Sequence, residues 1–115
     1  MEMSDITNVD IDDVSETTPV LDVRDDYEWV AGHIPGALHI PMNDIPMRLN
    51  ELDPDVEYRV ICLRGGRSSQ VVAWLNAQGY EAVNVRGSMT AWSVAGRPLV
   101  SENGETPYVI GADVP

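Results

Sequence analysis

Short apolar runs alternate along this chain with stretches whose apolar positions recur at helical spacing, and the alternation predicts strand following helix several times over. Pro19-Val20-Leu21-Asp22-Val23 reads as a buried strand ending at an acid. Asp25 and Asp26 open a helix that runs through Val30, their carboxylates at the positive end of its dipole, and Gly32 stops it. His33 to Ala37 is turn chemistry, and Leu38-His39-Ile40 is a brief strand closed by Pro41. A second short helix covers Asp44 to Leu52 and ends before the Asp53-Pro54-Asp55 turn, because proline disfavours helix at the preceding residue.

Tyr58 to Leu63 is the strongest strand, with β-branched residues flanked by turn signals. Ser68 is placed to cap a helix with Val71, Trp74, Leu75 and Gln78 on one face, terminated by Gly79. Ala82 to Val85 is another strand, Gly87-Ser88 a turn, and Met89 to Val94 a last helix with Trp92 inward. Trp29, Trp74 and Trp92 all sit at core-like helical spacing. Ahead of these, Ile6, Val9, Ile11 and Val14 punctuate a polar lead-in with the spacing of an edge strand and one helical turn. Pro98 onward reads as an extended tail. The order of elements implies one α/β domain over residues 1–115, its core at about 19–100, built on a mostly parallel sheet whose sites lie at the carboxyl ends of strands.

Composition narrows the chemistry. A length of 115 residues suits one core. The net charge of −12 repels phosphate backbones and anionic lipid, so neither nucleic acid nor a membrane is an expected partner. All seven basic side chains are arginines, which excludes Schiff-base lysine chemistry and a P-loop lysine. Cys62 is the single cysteine, so neither an internal disulfide nor a Cys-x-x-Cys motif exists, and His33 and His39, separated by Pro35 and Gly36, lack zinc-site spacing. No metal or cofactor is expected. The acidic start and the absence of a long apolar run lead to the expectation of a cytoplasmic protein.

The chemistry concentrates where the best strand ends. Cys62 is followed by Leu63, Arg64, Gly65, Gly66, Arg67 and Ser68, where a helix begins and backbone N–H groups are unpaired. Two glycines at positive φ would curl the backbone into a nest of donors around the sulfur and lower its thiol pKa. Arg64 and Arg67, with Arg59 nearby, would form an attractive patch on a repelling surface. Asp22 and Arg24, just past a strand end, either brace this loop or form a surface ion pair. His33 is expected to serve its turn through a hydrogen bond.

These pieces resemble the rhodanese-homology family in order. Leu21-Asp22-Val23-Arg24 is similar to its first signature, Gly32 to Ala37 to its second, and Cys62 to Ser68 to its active-site loop. Val85-Arg86-Gly87-Ser88-Met89 with Trp92, Gly96 and Pro98 is similar to its C-terminal signature, with Ser88 where many members have a second glycine. The resemblance implies a rhodanese-like fold, a central mostly parallel five-stranded sheet flanked by helices on both faces. It further implies a sulfurtransferase in which Cys62 takes a sulfane sulfur from a donor such as thiosulfate and passes it from a persulfide to cyanide or a thiol, with a protein thiol among the acceptors. It assigns Asp22 and Arg24 a supporting role.

Two other readings remain at this stage. A persulfide carrier or partner-docking module fits a chain with no second cysteine to resolve the persulfide. A cysteine-dependent phosphatase, by likeness to fold relatives, is disfavoured because the six residues from Cys62 to Arg67 close a ring one residue tighter than theirs, while a phosphoryl group needs donors on three oxygens.

Overall fold

A computed structural model describes residues 6–112. Five strands, β1 (Asn8–Val9), β2 (Val20–Asp22), β3 (Leu38–His39), β4 (Tyr58–Ile61) and β5 (Ala82–Val85), form one sheet in the order β1-β5-β4-β2-β3. Every strand pair is parallel. Parallel neighbours require crossovers, which α1 (Asp26–Ala31), α2 (Gly66–Ala77) and short 3₁₀ segments supply; α3 (Ser88–Val94) follows the last strand. β4 lies at the centre, so its carboxyl end opens between β2 and β5.

Strand alternation sorts the core onto two faces. Val60 and Cys62 join Leu21, Val23, Val71, Val72 and Leu75 beneath α2. Ile61 joins Val20, Val85, Met89 and Trp92 beneath α3. Each fully buried Val or Leu contributes roughly 1.5–3 kcal/mol relative to exposure, so the faces fix the register that delivers Cys62 to the edge.

Two local expectations are corrected. The helix expected over Asp44 to Leu52 is instead two 3₁₀ segments, Met42–Asp44 and Pro46–Glu51. Pro46 has no N–H to continue an α ladder, and Arg48 leaves helical angles at φ −115°, ψ 19°. Ser68 does not cap α2, which begins two residues earlier behind Gly65. The tail is also strapped down. His33 and Val100 exchange backbone hydrogen bonds, Tyr108 N–H donates to Ala31 O, and Val109 is buried in the second face of the core. Of the polar lead-in and the tail, residues 1–5 and 113–115 lie outside the described residues.

Gly32 does stop α1, as its C-cap, and the position also demands close approach. Its φ of 175° is open to any residue, but a Cβ there would lie 2.2 Å from Tyr108 O. No helix among the described residues is long and apolar enough to cross a membrane.

Candidate active site

Cys62 follows directly on β4 and is 1% exposed. Its backbone is anchored to the start of α3: Met89 N–H donates to Cys62 O at 3.1 Å, and Cys62 N–H donates to Ser88 Oγ at 3.3 Å. Ser88 holds a left-handed φ of 46°, uncommon for a residue with a side chain. Its hydroxyl donates to Val85 O at 2.9 Å while accepting from Cys62, which explains how a serine serves this turn.

The loop then curls around the sulfur. Gly65 takes φ 115°, and its N–H points to Cys62 Sγ at 3.0 Å. Gly66 does not take the positive φ that the glycine pair suggests, being already the first residue of α2. One left-handed residue suffices to reverse the chain, and the next can start the helix. Ser68 Oγ lies 3.4 Å from Sγ, reaching it from inside the first turn. Burial opposes ionisation of this thiol, but the Ser68 hydroxyl and the backbone N–H groups of Ser68, Gly65 and Arg64 outweigh burial and hold its pKa below the ordinary value. A buried sulfur stabilised as an anion can attack an electrophilic atom small enough to enter the loop.

The arginines divide the work differently from the expected patch. Arg67 forms a two-pronged pair with Glu28 on α1, at 2.8 and 3.1 Å, which raises its pKa further and offsets its charge. Arg59 sits in β4 on the opposite face from Cys62 and pairs with Glu57 at 2.6 Å, so it does not join the loop. Arg64 is exposed at the rim and donates to Gly111 O at 3.3 Å, and Leu63 packs near Gly111. The tail therefore borders the loop.

Asp22 and Arg24 are not a surface pair. Both are 0% exposed, with Arg24 Nε and Nη2 donating to the Asp22 carboxylate at 2.8–3.1 Å. Arg24 Nη2 also donates to Gly32 O at 2.8 Å, and His39 Nε2 meets Arg24 O at 2.8 Å. The pair thus ties the C-terminal end of α1 to the end of β2, and α1 carries Glu28 to Arg67. Its contact with the loop is indirect.

His33 is a turn residue, its Nδ1 at 3.0 Å from Ile34 O and its Nε2 at 2.7 Å from Glu102. Of the three tryptophans, Trp92 is buried, Trp29 stacks on His33 and His39, and Trp74 departs from expectation. Trp74 is 36% exposed beside a cavity of about 280 Å³ lined also by Met42, Asn43, Ile45, Pro46, Gln70 and Val71.

Sequence reasoning missed Glu28 and Asn84. Glu28 sat among helix-start acids, although its place three residues after Asp25 marks a capping position, and Asp25 N–H does donate to Glu28 Oε1 at 3.0 Å. Asn84 stood out only as a polar residue within a buried strand, 5% exposed, and it accepts from the Ser68 hydroxyl at 2.6 Å.

Comparison with known proteins agrees with this geometry. The family model described as "Rhodanese-like domain" matches residues 7–95. The chain belongs to the rhodanese-like family. It is 41% identical over 101 residues, 85% of this chain and 98% of the other, to the Bacillus subtilis protein named "Putative sulfurtransferase YtwF". To a protein of Allochromatium vinosum named "Sulfurtransferase" it is 40% identical over 91 residues, covering 78% of this chain and 85% of that one. Among solved structures, a rhodanese-like domain protein from Staphylococcus aureus superposes with a TM-score of 0.72 at 34% identity, over 90% of this chain and 99% of that one. Sulfur transfer is thereby supported as the role at the level of the family, and the five-stranded parallel sheet is the family's fold.

Proposed function

We propose that this rhodanese-like protein moves a sulfane sulfur through a persulfide on Cys62. The Cys62 thiolate attacks the outer sulfur of a donor such as thiosulfate. The sulfur–sulfur bond of the donor breaks, its electron pair leaves with sulfite, and Cys62 carries a terminal persulfide anion. A thiophilic acceptor, cyanide or a thiolate, attacks that terminal sulfur and restores the Cys62 thiolate.

The observation that carries this reading is the Gly65 N–H aimed at a buried sulfur from 3.0 Å. A donor fixed before reaction stabilises the thiolate, the charge that develops during transfer and the resulting persulfide. Arg64 supplies positive charge at the rim, where the sulfonate of thiosulfate would remain. A phosphatase is poorly served here. Arg67, which would have to clamp phosphoryl oxygens, is held by Glu28.

Incubation of reduced protein with thiosulfate is expected to add the mass of one sulfur atom, removable by cyanide, and Cys62→Ser is expected to abolish the gain. An unchanged mass in the wild type would overturn the reading.

A second reading, a carrier that hands sulfur to a protein thiol, is favoured by one observation. The exposed Trp74 borders a cavity one to two helical turns along α2 from Arg67, as an aromatic anchor at a docking face would. In that case a partner thiol accepts the sulfur much faster than cyanide does.

A further inference from the structure

The polar chain behind the sulfur does not end at Ser68. Asn8 and Asn84 stand opposite each other in the β1–β5 pair, with Asn84 Nδ2 donating to Asn8 Oδ1 at 2.9 Å. Ser68 Oγ donates to Asn84 Oδ1 at 2.6 Å and lies 3.4 Å from Cys62 Sγ. The four side chains therefore form one file from an exposed sheet edge to a buried sulfur.

A hydroxyl has a single proton. With that proton on Asn84, the Ser68 oxygen can only accept from the Cys62 thiol, which suits the protonated sulfur. A thiolate needs the opposite direction: Ser68 must donate to sulfur, and its oxygen is then free to accept. A carboxamide can supply either demand, because turning it over exchanges C=O for NH₂ with almost no change of shape. With both amides turned, Asn8 donates to Asn84, Asn84 donates to Ser68, and Ser68 donates to sulfur.

We propose that Asn8 and Asn84 are positioning residues of a reversible hydrogen-bond relay, whose direction reverses when Cys62 loses its proton so that the Ser68 hydroxyl follows the charge on sulfur. The thiol proton itself leaves to solvent, and no bond to sulfur other than S–H is made or broken. The relay rests on the reading of Cys62 as the working thiolate and adds the device that serves it. Two amides in file explain why a fully buried serine and a buried asparagine occupy sites that the core would otherwise fill with apolar groups. Among the described residues the charged groups around the sulfur are Arg64 in the loop and Arg67 on α2, with Glu28 on α1 and its N-cap Asp25 facing Arg67. The variants below leave all four unchanged.

Asn8 is exposed, so Asn8→Asp tests the relay without disturbing the core. Aspartate accepts but does not donate, which locks the relay with the Ser68 proton turned away from sulfur. The rate of Cys62 alkylation by iodoacetamide, measured across pH with no sulfur donor present, should rise at a higher midpoint and fall about threefold near neutrality, as a shift of about half a pKa unit gives. The same fall should persist at about 1 M salt, where the charge of an exposed aspartate is screened within about 3 Å. In a Ser68→Ala background, Asn8→Asp should change nothing. An unchanged rate in Asn8→Asp, a fall that vanishes in salt, or an equal fall without Ser68 would each overturn the relay. Because alkylation needs no sulfur donor, a failure of sulfur loading would sink the proposed function and leave this result standing.

Discussion

At the scale of single residues, burial separates ion pairs that look alike in sequence. Asp22 and Arg24 meet at zero exposure, whereas Arg86 and Asp10 meet at 3.0 Å with both side chains about two-thirds exposed. Removing the charge of one partner in a sealed pair leaves the other stranded, at a cost of about 3–5 kcal/mol. Asp22→Asn should therefore lower the free energy of unfolding by that amount in a denaturant titration, and Arg86→Ala should scarcely move it. An Asp22→Asn protein as stable as wild type would mean that the amide replaces the carboxylate without penalty. Cys62 and its loop were legible because cysteine, glycine and arginine each carry a strong local signal on adjacent positions. The burial of Asp22 was not, since the turn it occupies is closed by Gly32 and by Tyr108 crossing that glycine from far along the chain.

At the scale of elements, α1 has six residues and no stability of its own, so its position must come from its contacts. Periodicity and charge found the helix. They could not find that Glu28 reaches Arg67, 39 residues away, because nothing local in either segment encodes the meeting. That link ties α1 to the start of α2 and steadies the loop between Cys62 and Arg67. Burial pushes the Glu28 carboxyl up, but Arg67, the Asp25 backbone and the charge of Arg24 outweigh it and leave its pKa below the ordinary glutamate value. The folded value lies under the unfolded one, so the stabilisation is complete above the unfolded value and is lost as pH falls through the folded value. Glu28→Gln should cost on the order of 2 kcal/mol at neutral pH, less than a sealed pair because Arg67 is part-exposed. Its stability should also decline less than that of the wild type as pH is lowered below 4.5. Parallel acid limbs for the two proteins, compared by denaturant midpoint at each pH, would count against this role.

At the scale of the whole molecule, the proposed function would bring thiosulfate into two fields of opposite sign. The net charge of −12 is spread over a body 39 Å long and repels a dianion at distance, while Arg64 attracts it at the rim. Arg67 adds little, its charge being matched by Glu28. Salt separates the two by range: the Debye length is about 30 Å at 0.01 M and about 10 Å at 0.1 M. Raising ionic strength over that interval removes most of the long-range repulsion and leaves much of the close attraction. The kcat/KM for thiosulfate is therefore expected to rise, by about twofold or more, between these salt concentrations, and then to level or fall as Arg64 too is screened. Arg64→Ala should keep the initial rise and raise KM more than it lowers kcat, because a rim charge contributes mostly uniform binding. A kcat/KM that falls from the lowest salt upward would show that local attraction outweighs the global charge. The field at the loop would then be set by its own residues and hardly at all by the acidity of the rest of the chain.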